Sequence, residues 1–309
     1  MAMEQWEPHT VTSAEVVRPG PVAALAALFD DGLPAPGAGD ALPRLWHWVA
    51  LPHWPVSSEV GPDGHPRRGT FLPPIELPRR MFAGGEVAFH GDLRVGETIR
   101  RESTVESVKE KSGQSGALVI VAVRTRLFGD GGELRVDERQ DLIYREAGPT
   151  PSPGERTEAE RGAVERAEVE RAAELRPVGR PLRRADAWAY DFSTDPTLLM
   201  RFSAATANAH RIHYDWPYAT RVEGYPGLVV HGPLMTLTLA EAFRLERPDD
   251  AISRLTHRNM APLFCGQAAS VRGRPTADGV ALDLLGPDGA GVRTAVNIVP
   301  SSETAVQAS

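Results

Sequence analysis

The sequence predicts an α+β fold in which antiparallel sheets occupy both halves of the chain and a core helix lies in the second half. In the first half, β-rich runs between Glu86 and Tyr144 are separated by short turn segments, which is the pattern of an antiparallel sheet. Similar runs follow Ile252. Between the two sets, the segment after Pro233 is apolar on almost every face, as expected for a helix enclosed by protein.

The length of 309 residues predicts about two domains. We assign residues 1–147 to an N-terminal domain and residues 185–309 to a C-terminal domain. Residues 148–184 are interpreted as a linker, because Glu-Arg pairs recur there every five residues, a period that builds no apolar face on a helix. Such a linker would form a solvated helix or stay disordered, and we assign it no chemistry.

The N-terminal domain is expected to open with a helix in the segment Ser13–Asp31. The helix proper should start near Pro21, because Pro19 and Gly20 break or delay it. The Pro- and Gly-rich segment from Leu33 to Pro78 is expected to be irregular but packed, with its tryptophans filling the core. These tryptophans are Trp46, Trp48 and Trp54. The strands that follow are predicted at 87–89, 99–108, 117–128 and 134–144.

The C-terminal domain is expected to begin near Ala185 with a strand, because its next aromatic residues alternate with smaller ones. Asp195 and Pro196 then open a short helix that extends through Phe202. The alternating aromatic residues are Trp188, Tyr190 and Phe192.

The core helix is predicted to begin with Gly232 at the cap position and Pro233 at the first helical position, where the missing N–H of proline costs nothing. It should end near Arg247. The remaining strands are predicted at 252–260, 268–273, 280–285 and 292–299, with a hairpin turn at 287–289.

Composition excludes several classes of function. The formal net charge of −7 gives no general affinity for nucleic acid. The single cysteine, Cys265, excludes a disulfide framework. The first ten residues lack a signal-peptide pattern, and no apolar stretch approaches about 18 residues, so we expect a cytoplasmic protein without a membrane segment. The Gly-rich turn after residue 128 lacks the spacing and the following helix of a dinucleotide site.

The segment from Phe202 to Leu239 holds the densest cluster of candidate catalytic groups. An amide, two imidazoles and a carboxylate occur within eight positions, and a second block, His231-Gly232-Pro233, starts the core helix. The exposed N–H groups and the positive dipole end of a buried helix can stabilise a developing oxyanion. The first four candidates are Asn208, His210, His213 and Asp215.

This segment resembles the MaoC-like, (R)-specific enoyl-thioester hydratases, also called hydratase 2, through the patterns F-S-A-x-T-x-N-x-H-x-I-H-Y-D and G-L-V-V-H-G-P-L. Within that superfamily it is most similar to the branch of mesaconyl-C4-CoA (3-methylfumaryl-CoA) hydratases and mitochondrial 3-hydroxyacyl-thioester dehydratases. The phrases LWHWVALPHW, GPDGHPRRGTFLPPIELPRRM and FHGDLRVGE are similar to that branch as well. The resemblance implies a tandem hot-dog fold, with a degenerate first domain that shapes the substrate pocket and a catalytic second domain.

The resemblance also implies roles for individual residues. The family's catalytic histidine falls on His213, and the glycine whose N–H holds the thioester oxygen falls on Gly232. His231 and Leu234 are assigned with Gly232 to the oxyanion and substrate-binding set. Asn208 stands where the common motif has its catalytic aspartate. A variant dyad is therefore expected, in which Asp215 or His210 orients His213 or shares its proton transfer.

Two further binding hypotheses concern phosphate and metal. The cations of the Pro-rich segment come in pairs that could bind coenzyme A phosphates, although a solvated surface is the favoured interpretation of them. A zinc site built from His210, His213 and His231 is disfavoured, because the chain has one cysteine and no HExxH helix. The paired cations are Arg67, Arg68, Arg79 and Arg80.

The leading function is a hydro-lyase that reversibly hydrates an enoyl thioester of coenzyme A or of an acyl carrier, with a mesaconyl-type acyl group as one option. This chemistry needs no metal or redox cofactor, and coenzyme A enters as part of the substrate. A hot-dog thioesterase and a non-catalytic thioester-binding or scaffold protein remain alternatives, the latter because of Asn208. A homodimer is compatible with the resemblance, but the sequence does not determine the oligomeric state.

Overall fold

The computed structural model describes residues 5–113, 116–146, 177–289 and 291–301. Most of the expected linker, residues 148–176, lies outside the described residues. The described part contains four α-helices. They are α1 (Pro19–Phe29), α2 (His47–Ala50), α3 (Pro196–Thr206) and α4 (Gly232–Glu246).

The strands form one sheet in the order β1-β3-β4-β5-β2-β8-β11-β10-β9-β7-β6, and every neighbouring pair is antiparallel. The first five positions belong to the N-terminal half and the last six to the C-terminal half. The strands of the first half are β1 (Thr10–Val16), β2 (Arg79–Phe89), β3 (Thr98–Gly113), β4 (Gly116–Phe128) and β5 (Leu134–Arg145). Those of the second half are β6 (Leu182–Asp186), β7 (Ala189–Phe192), β8 (Ile252–Asn259), β9 (Ala269–Thr276), β10 (Gly279–Leu285) and β11 (Val292–Pro300).

The two halves join where β2 pairs with β8, from Gly84 opposite Arg258 to Ala88 opposite Arg254. Gly84 lies at this seam, and a Cβ there would come within 2.5 Å of the His257 carbonyl oxygen on β8. Glycine therefore allows the strands of both halves to approach closely at the seam.

The predicted core helix is confirmed as α4. Every residue from Leu234 to Phe243 is buried, and α4 packs on β2 and on the C-terminal strands β8, β10 and β11. The hydroxyls of Thr236 and Thr238 donate to carbonyl oxygens one turn earlier, which satisfies polar groups in an apolar setting. The helix begins one residue earlier than expected, with His231 as cap and Gly232 as its first residue.

The second half thus wraps a sheet around α4, and the first half packs α1 and α2 into the same hydrophobic core. This arrangement confirms the expected tandem hot-dog fold. The helices of the first half, α1 and α2, are both shorter than α4. Within the described residues, no helix is long and apolar enough to cross a membrane.

Three expectations about individual elements were wrong. The segment Ser13–Val16 belongs to the edge strand β1, and the helix begins only at Pro19. The C-terminal half opens earlier than residue 185, because β6 already starts at Leu182. Trp54 does not fill the core, since 69% of its surface is exposed, whereas Trp46 is buried.

Candidate functional site

The segment that carries the candidate catalytic groups follows α3 and is held in place by both halves of the chain. The Asp195 side chain caps α3 by accepting the Leu198 N–H at 2.8 Å. The helix ends at Thr206, and the left-handed conformation of the C-cap residue Ala207 (φ 53°) turns the chain toward residues 208–215. We call residues 208–215 the catalytic loop.

A loop of the N-terminal half, residues 61–65, clamps the catalytic loop. The Arg211 N–H donates to the Asp63 carbonyl at 2.9 Å, and its guanidinium donates to the Pro62 carbonyl at 3.1 Å. Gly64 has φ +90°, and a Cβ on it would lie 1.7 Å from the Ala209 carbonyl oxygen. The clamp therefore requires a glycine at this position, for conformation and for space.

His213 is oriented so that one ring nitrogen can accept a proton. Its Nδ1 lies 2.7 Å from the Val229 carbonyl oxygen, and because a carbonyl can only accept, Nδ1 carries the hydrogen and Nε2 has a free lone pair. Burial and the neighbouring His210 lower the pKa of His213 to about 3. The imidazole is therefore neutral near pH 7 and can act as a base.

His231 connects His213 to the start of α4. The two rings are stacked, with centroids 3.6 Å apart and planes 19° apart. His231 is fully buried, and its Nε2 lies 2.8 Å from the Ser203 hydroxyl on α3. Because His231 is the cap residue of α4, the stack places the His213 ring beside the helix start, where the first N–H groups have no partner within the helix.

A cavity of about 290 Å³ lies between the two halves and borders the start of α4. Asn208 and Pro233 form part of its wall, whereas His213 is not among the lining residues. The Asn208 side-chain oxygen accepts the His210 N–H at 3.1 Å, so its amide nitrogen remains available for a ligand. The other lining residues are His47, Trp48, Leu51, Phe82, Arg101, Thr125, Leu127, Glu138, Gln140, Phe202 and Thr206.

Gly232 lies against the N-terminal half at the edge of this cavity. A Cβ there would be 3.2 Å from both the Phe82 ring and the Asn259 amide nitrogen. The Asn259 amide in turn donates to the Phe82 carbonyl at 3.2 Å. Leu234, two residues into the helix, is fully buried and packs in the core.

Asp215 is engaged in local contacts. One carboxylate oxygen lies 2.7 Å from the Arg211 guanidinium, and the other accepts the Tyr218 N–H at 3.1 Å. These contacts make Asp215 the cap of the following turn and the partner of a cation. The described contacts of Asp215 include none to His213.

His210 belongs to a group of ligand-type side chains that also includes Asp63 and His65. One donor atom from each of the three lies within 4.8 Å of the others, and the His65 and His210 ring centroids are 4.0 Å apart. Burial and the nearby Arg80 lower the pKa of His65 well below its usual value. Burial opposes ionisation of Asp63, but the side-chain and backbone hydrogen bonds from His65 and the electrostatic effects of His65 and His210 together outweigh it and lower the pKa of that carboxyl.

This group differs from the zinc set considered from the sequence, in which His210 was combined with His213 and His231. Asp63 already pairs with His65, at 3.1 Å to the ring and 3.0 Å to the backbone N–H. His210 Nε2 also lies 3.8 Å from the Glu223 carboxylate. The contacts are those of a polar clamp on the catalytic loop, in which each acidic group already has a partner.

The four arginines proposed as phosphate ligands have different environments. Arg68 donates to the carbonyls of Ile75 (2.6 Å), Leu77 (2.5 Å) and Pro78 (2.9 Å), so it organises the Pro-rich loop. Arg79 pairs with Glu223. Burial lowers the pKa of Arg80, whereas Arg67 is exposed to solvent.

Sequence reasoning missed a buried pair and a cation that border the cavity. His47 and Glu138 are 2.9 Å apart although 91 positions separate them in the chain. Arg101 lines both this cavity and a larger one of about 970 Å³. Its guanidinium pairs with Glu15 at 3.3 Å, and its buried Nε has no hydrogen-bond partner among the described residues. The phrase LWHWVALPHW could have pointed to His47, but no local signal marked Glu138 or Arg101.

We expect the buried histidines to lower the stability of the folded protein at acidic pH. The contribution of His257 can be measured separately. Burial lowers the pKa of His257 to about 4 from 6.5. Between these values the unfolded chain binds the proton and the folded chain does not, so stability falls as pH falls. At pH 5.0 the lowered pKa of His257 therefore reduces the unfolding free energy by about 2 kcal/mol.

His257→Gln should remove that share of the pH dependence. Urea unfolding at pH 7.5 and pH 5.0 should show a smaller loss of unfolding free energy in the variant than in the wild type. His90→Gln is the matched control, because His90 is exposed in the folded protein as well. Equal losses in His257→Gln and wild type would contradict the expectation.

Comparisons with known proteins identify a family model, two relatives and a solved structure that are similar to this chain. The profile of the hydroxyacyl-thioester dehydratase type 2 family matches residues 45–265. Mesaconyl-C(4)-CoA hydratase from Chloroflexus aurantiacus is 43% identical over 271 residues, which cover 86% of this chain and 87% of that protein. The mitochondrial hydroxyacyl-thioester dehydratase type 2 from Schizosaccharomyces pombe is 26% identical over 246 residues, covering 72% and 74% respectively. A solved MaoC-like dehydratase shares the fold with a TM-score of 0.68 at 15% identity, over 96% of this chain and 99% of that one.

Proposed function

Because the chain belongs to the hydroxyacyl-thioester dehydratase type 2 family, we propose that it catalyses the reversible addition of water to the C2=C3 bond of an enoyl-CoA thioester. The enzyme is a hydro-lyase of the hydratase and dehydratase class. The main structural support for this function is the stacking of His213 on His231. It brings a neutral imidazole to the start of a buried helix.

In the proposed mechanism, His213 Nε2 accepts a proton from the water that attacks C3. Negative charge then develops on the thioester oxygen. The Gly232 N–H and the positive end of the α4 dipole stabilise that charge. Asn208 positions the water or the thioester through its amide, because an amide does not exchange protons as a carboxylate does.

The proposed acyl group is a short dicarboxylate of the mesaconyl type. The relative from Chloroflexus aurantiacus is named for that substrate. The cavity beside Asn208 holds about 290 Å³, which suits a short acyl chain. Arg101 on its wall pairs with Glu15 at 3.3 Å, and a free carboxylate of the substrate would share this cation through its remaining N–H groups. The larger cavity that shares Leu51 and Arg101 with it would take part of the coenzyme A moiety.

One assay tests the function. Purified protein is incubated with mesaconyl-C4-CoA and with crotonyl-CoA while enoyl absorbance and free thiol are followed. Loss of absorbance without thiol release is the expected result. Thiol release would indicate a thioesterase, and tight binding without reaction would indicate a scaffold protein; either outcome would overturn the proposal.

Asn208→Asp should retain activity within about 10-fold, because aspartate keeps the size and the oxygen that accepts the His210 N–H. The new carboxylate would face the cavity in the place of the family's acid–base group. Asn208→Ala is the matched comparison and should be the slower variant, since it removes the group that positions water. A collapse of Asn208→Asp to the level of Asn208→Ala would mean that the amide N–H itself is required.

We also propose that the reaction uses no metal or redox cofactor. Asp63, His65 and His210 already contact one another or neighbouring charges, and Arg80 beside His65 disfavours a cation. Dialysis against a chelator should leave turnover unchanged. Loss of activity that zinc restores, together with zinc retained by the purified protein, would contradict this.

A cytoplasmic location and a homodimer complete the proposal. The location is supported by the single thiol, Cys265, which is partly buried and whose pKa burial raises to about 12, so no disulfide chemistry is evident. The dimer is supported by the position of β1 at the edge of the sheet, where its outer backbone groups could pair with a second copy. Sedimentation of the purified protein would test the dimer.

A further inference from the structure

A second histidine–carboxylate pair is buried in the N-terminal half. His47 Nε2 lies 2.9 Å from Glu138 Oε2, and the two side chains are 6% and 4% exposed. The same carboxylate accepts Trp48 Nε1 at 2.7 Å and Gln140 Nε2 at 2.5 Å. Burial by itself would raise the pKa of Glu138, but these three donors outweigh it and hold the pKa below its usual value. Glu138 is therefore an ionised acceptor.

The carboxylate determines which nitrogen of His47 faces outward. Since Glu138 only accepts, His47 Nε2 carries a hydrogen. Its Nδ1 has no hydrogen-bond partner among the residues that the structure describes. The contact fixes the His47 ring with Nδ1 directed away from the carboxylate, so Glu138 orients His47 and lies directly beside its imidazole.

His47 and Glu138 line the same cavity as Asn208 and Pro233. Phe82 connects the two sides of this cavity. Its ring meets the Trp48 indole edge-on at a centroid distance of 5.7 Å, and it lies 3.2 Å from the position of a Cβ on Gly232. The pair and the helix start that would hold the thioester oxygen are therefore neighbours across a single cavity.

Hydration includes a proton transfer to C2, and no residue of the catalytic loop has yet been assigned to it. Water must lose a proton as it attacks C3, and C2 must gain one. Neutral His213 can take the first proton, but Asn208 cannot supply the second. Asp215 is engaged with Arg211 and the Tyr218 N–H. A donor elsewhere on the cavity wall would protonate C2 directly, without His213 having to carry the proton from the water to C2.

We propose that His47, positioned by Glu138, is a second acid–base residue of the site and exchanges the proton at C2 of the thioester. This rests on the proposed hydratase function and adds the N-terminal half to the catalytic machinery. His47 is the catalytic residue in this assignment, and Glu138 is a positioning residue.

The proposed step balances. The water oxygen forms a bond to C3 while His213 Nε2 takes a proton from it, and the π electrons of C2=C3 move to the thioester oxygen. The enolate then re-forms the carbonyl as C2 takes the proton from His47 Nδ1. His213 is left protonated and His47 neutral, and exchange with solvent returns both to their starting states. Dehydration follows the same path in reverse.

A purely structural role for the pair would be to hold α2 against β5. His47→Gln and Glu138→Gln distinguish the two roles, because both keep the size and hydrogen-bonding capacity of the original side chains. His257→Gln is the matched control: His257 is equally buried and contacts Trp48 and Phe82, but it does not line the cavity.

With mesaconyl-C4-CoA as substrate, His47→Gln should lower kcat by about 100-fold or more with KM within a few fold of wild type. Glu138→Gln should lower kcat by about 10-fold, again through kcat rather than KM. Imidazole added to His47→Ala should restore part of the rate, which a structural role would not allow. His257→Gln should keep wild-type kcat.

Wild-type kcat in folded His47→Gln, or equal losses in His47→Gln and His257→Gln, would overturn the inference. If the His47 variants do not fold, a crystal structure of the wild type with butyryl-CoA decides. His47 Nδ1 within about 4 Å of C2 would support the assignment, and a separation beyond about 6 Å would overturn it. An inactive wild type would instead refute the hydratase proposal itself.

Discussion

His213→Gln should lower kcat for enoyl-CoA hydration by about 1000-fold while the protein stays folded. The imidazole is held with Nδ1 toward the Val229 carbonyl, 2.7 Å away, and with Nε2 free. Glutamine can still donate a hydrogen bond to that carbonyl, but it cannot accept and release a proton near neutral pH. The loss should therefore fall on turnover more than on binding of the thioester.

The measurement is kcat and KM from the loss of enoyl absorbance, with thermal unfolding followed by circular dichroism. His257→Gln serves as the control for replacing a buried histidine, since His257 is as buried as His213. Turnover within a few fold of wild type in His213→Gln would remove this residue from the proton-transfer role. Equal damage in both variants would point to a general loss of packing.

Gly64→Ala should lower both stability and activity, because the added methyl group has no room. It would lie 1.7 Å from the Ala209 carbonyl oxygen, and the φ of +90° is itself unfavourable for alanine. Either the loop at 61–65 or the catalytic loop must move. We expect a loss of about 3 kcal/mol in unfolding free energy and about 100-fold in kcat, since a shift of about 1 Å misplaces the reacting groups.

Gly96→Ala is a closely matched control. Gly96 lies in the turn before β3, in the same half of the chain, and also has φ +90°, but no atom lies within 4 Å of the place that its Cβ would occupy. That variant carries the conformational strain without the collision, so it should lose some stability and keep its kcat. Similar kcat values in the two variants would show that contact between the 61–65 loop and the catalytic loop is not needed for catalysis.

The strands and the core helix could be predicted from the sequence because burial leaves a local period. The apolar run that became α4 had no polar stripe, and ten consecutive residues of it are buried. The edge strand β1 was missed because most of its side chains are exposed and no alternation marks a buried face. Residues Ser13–Val16 were consequently interpreted as part of a helix.

Side-chain roles were harder to predict, because a residue type does not specify its partner. Arg68 was a reasonable phosphate ligand, but the irregular loop at 75–78 leaves carbonyls that need donors, and Arg68 supplies them. Trp54 was expected in the core by the usual preference of tryptophan, yet it lies exposed on the wall of the larger cavity.

The sequence alone determined the class of fold, the helix that α4 became and the motif positions His213, Asn208 and Gly232, since each depends on neighbours within a few residues. Only the tertiary structure decided that β2 pairs with β8 and that His47 meets Glu138 at the cavity beside Asn208. Contacts between residues 91 positions apart arise from the packing of whole elements, and no local pattern in the chain records them.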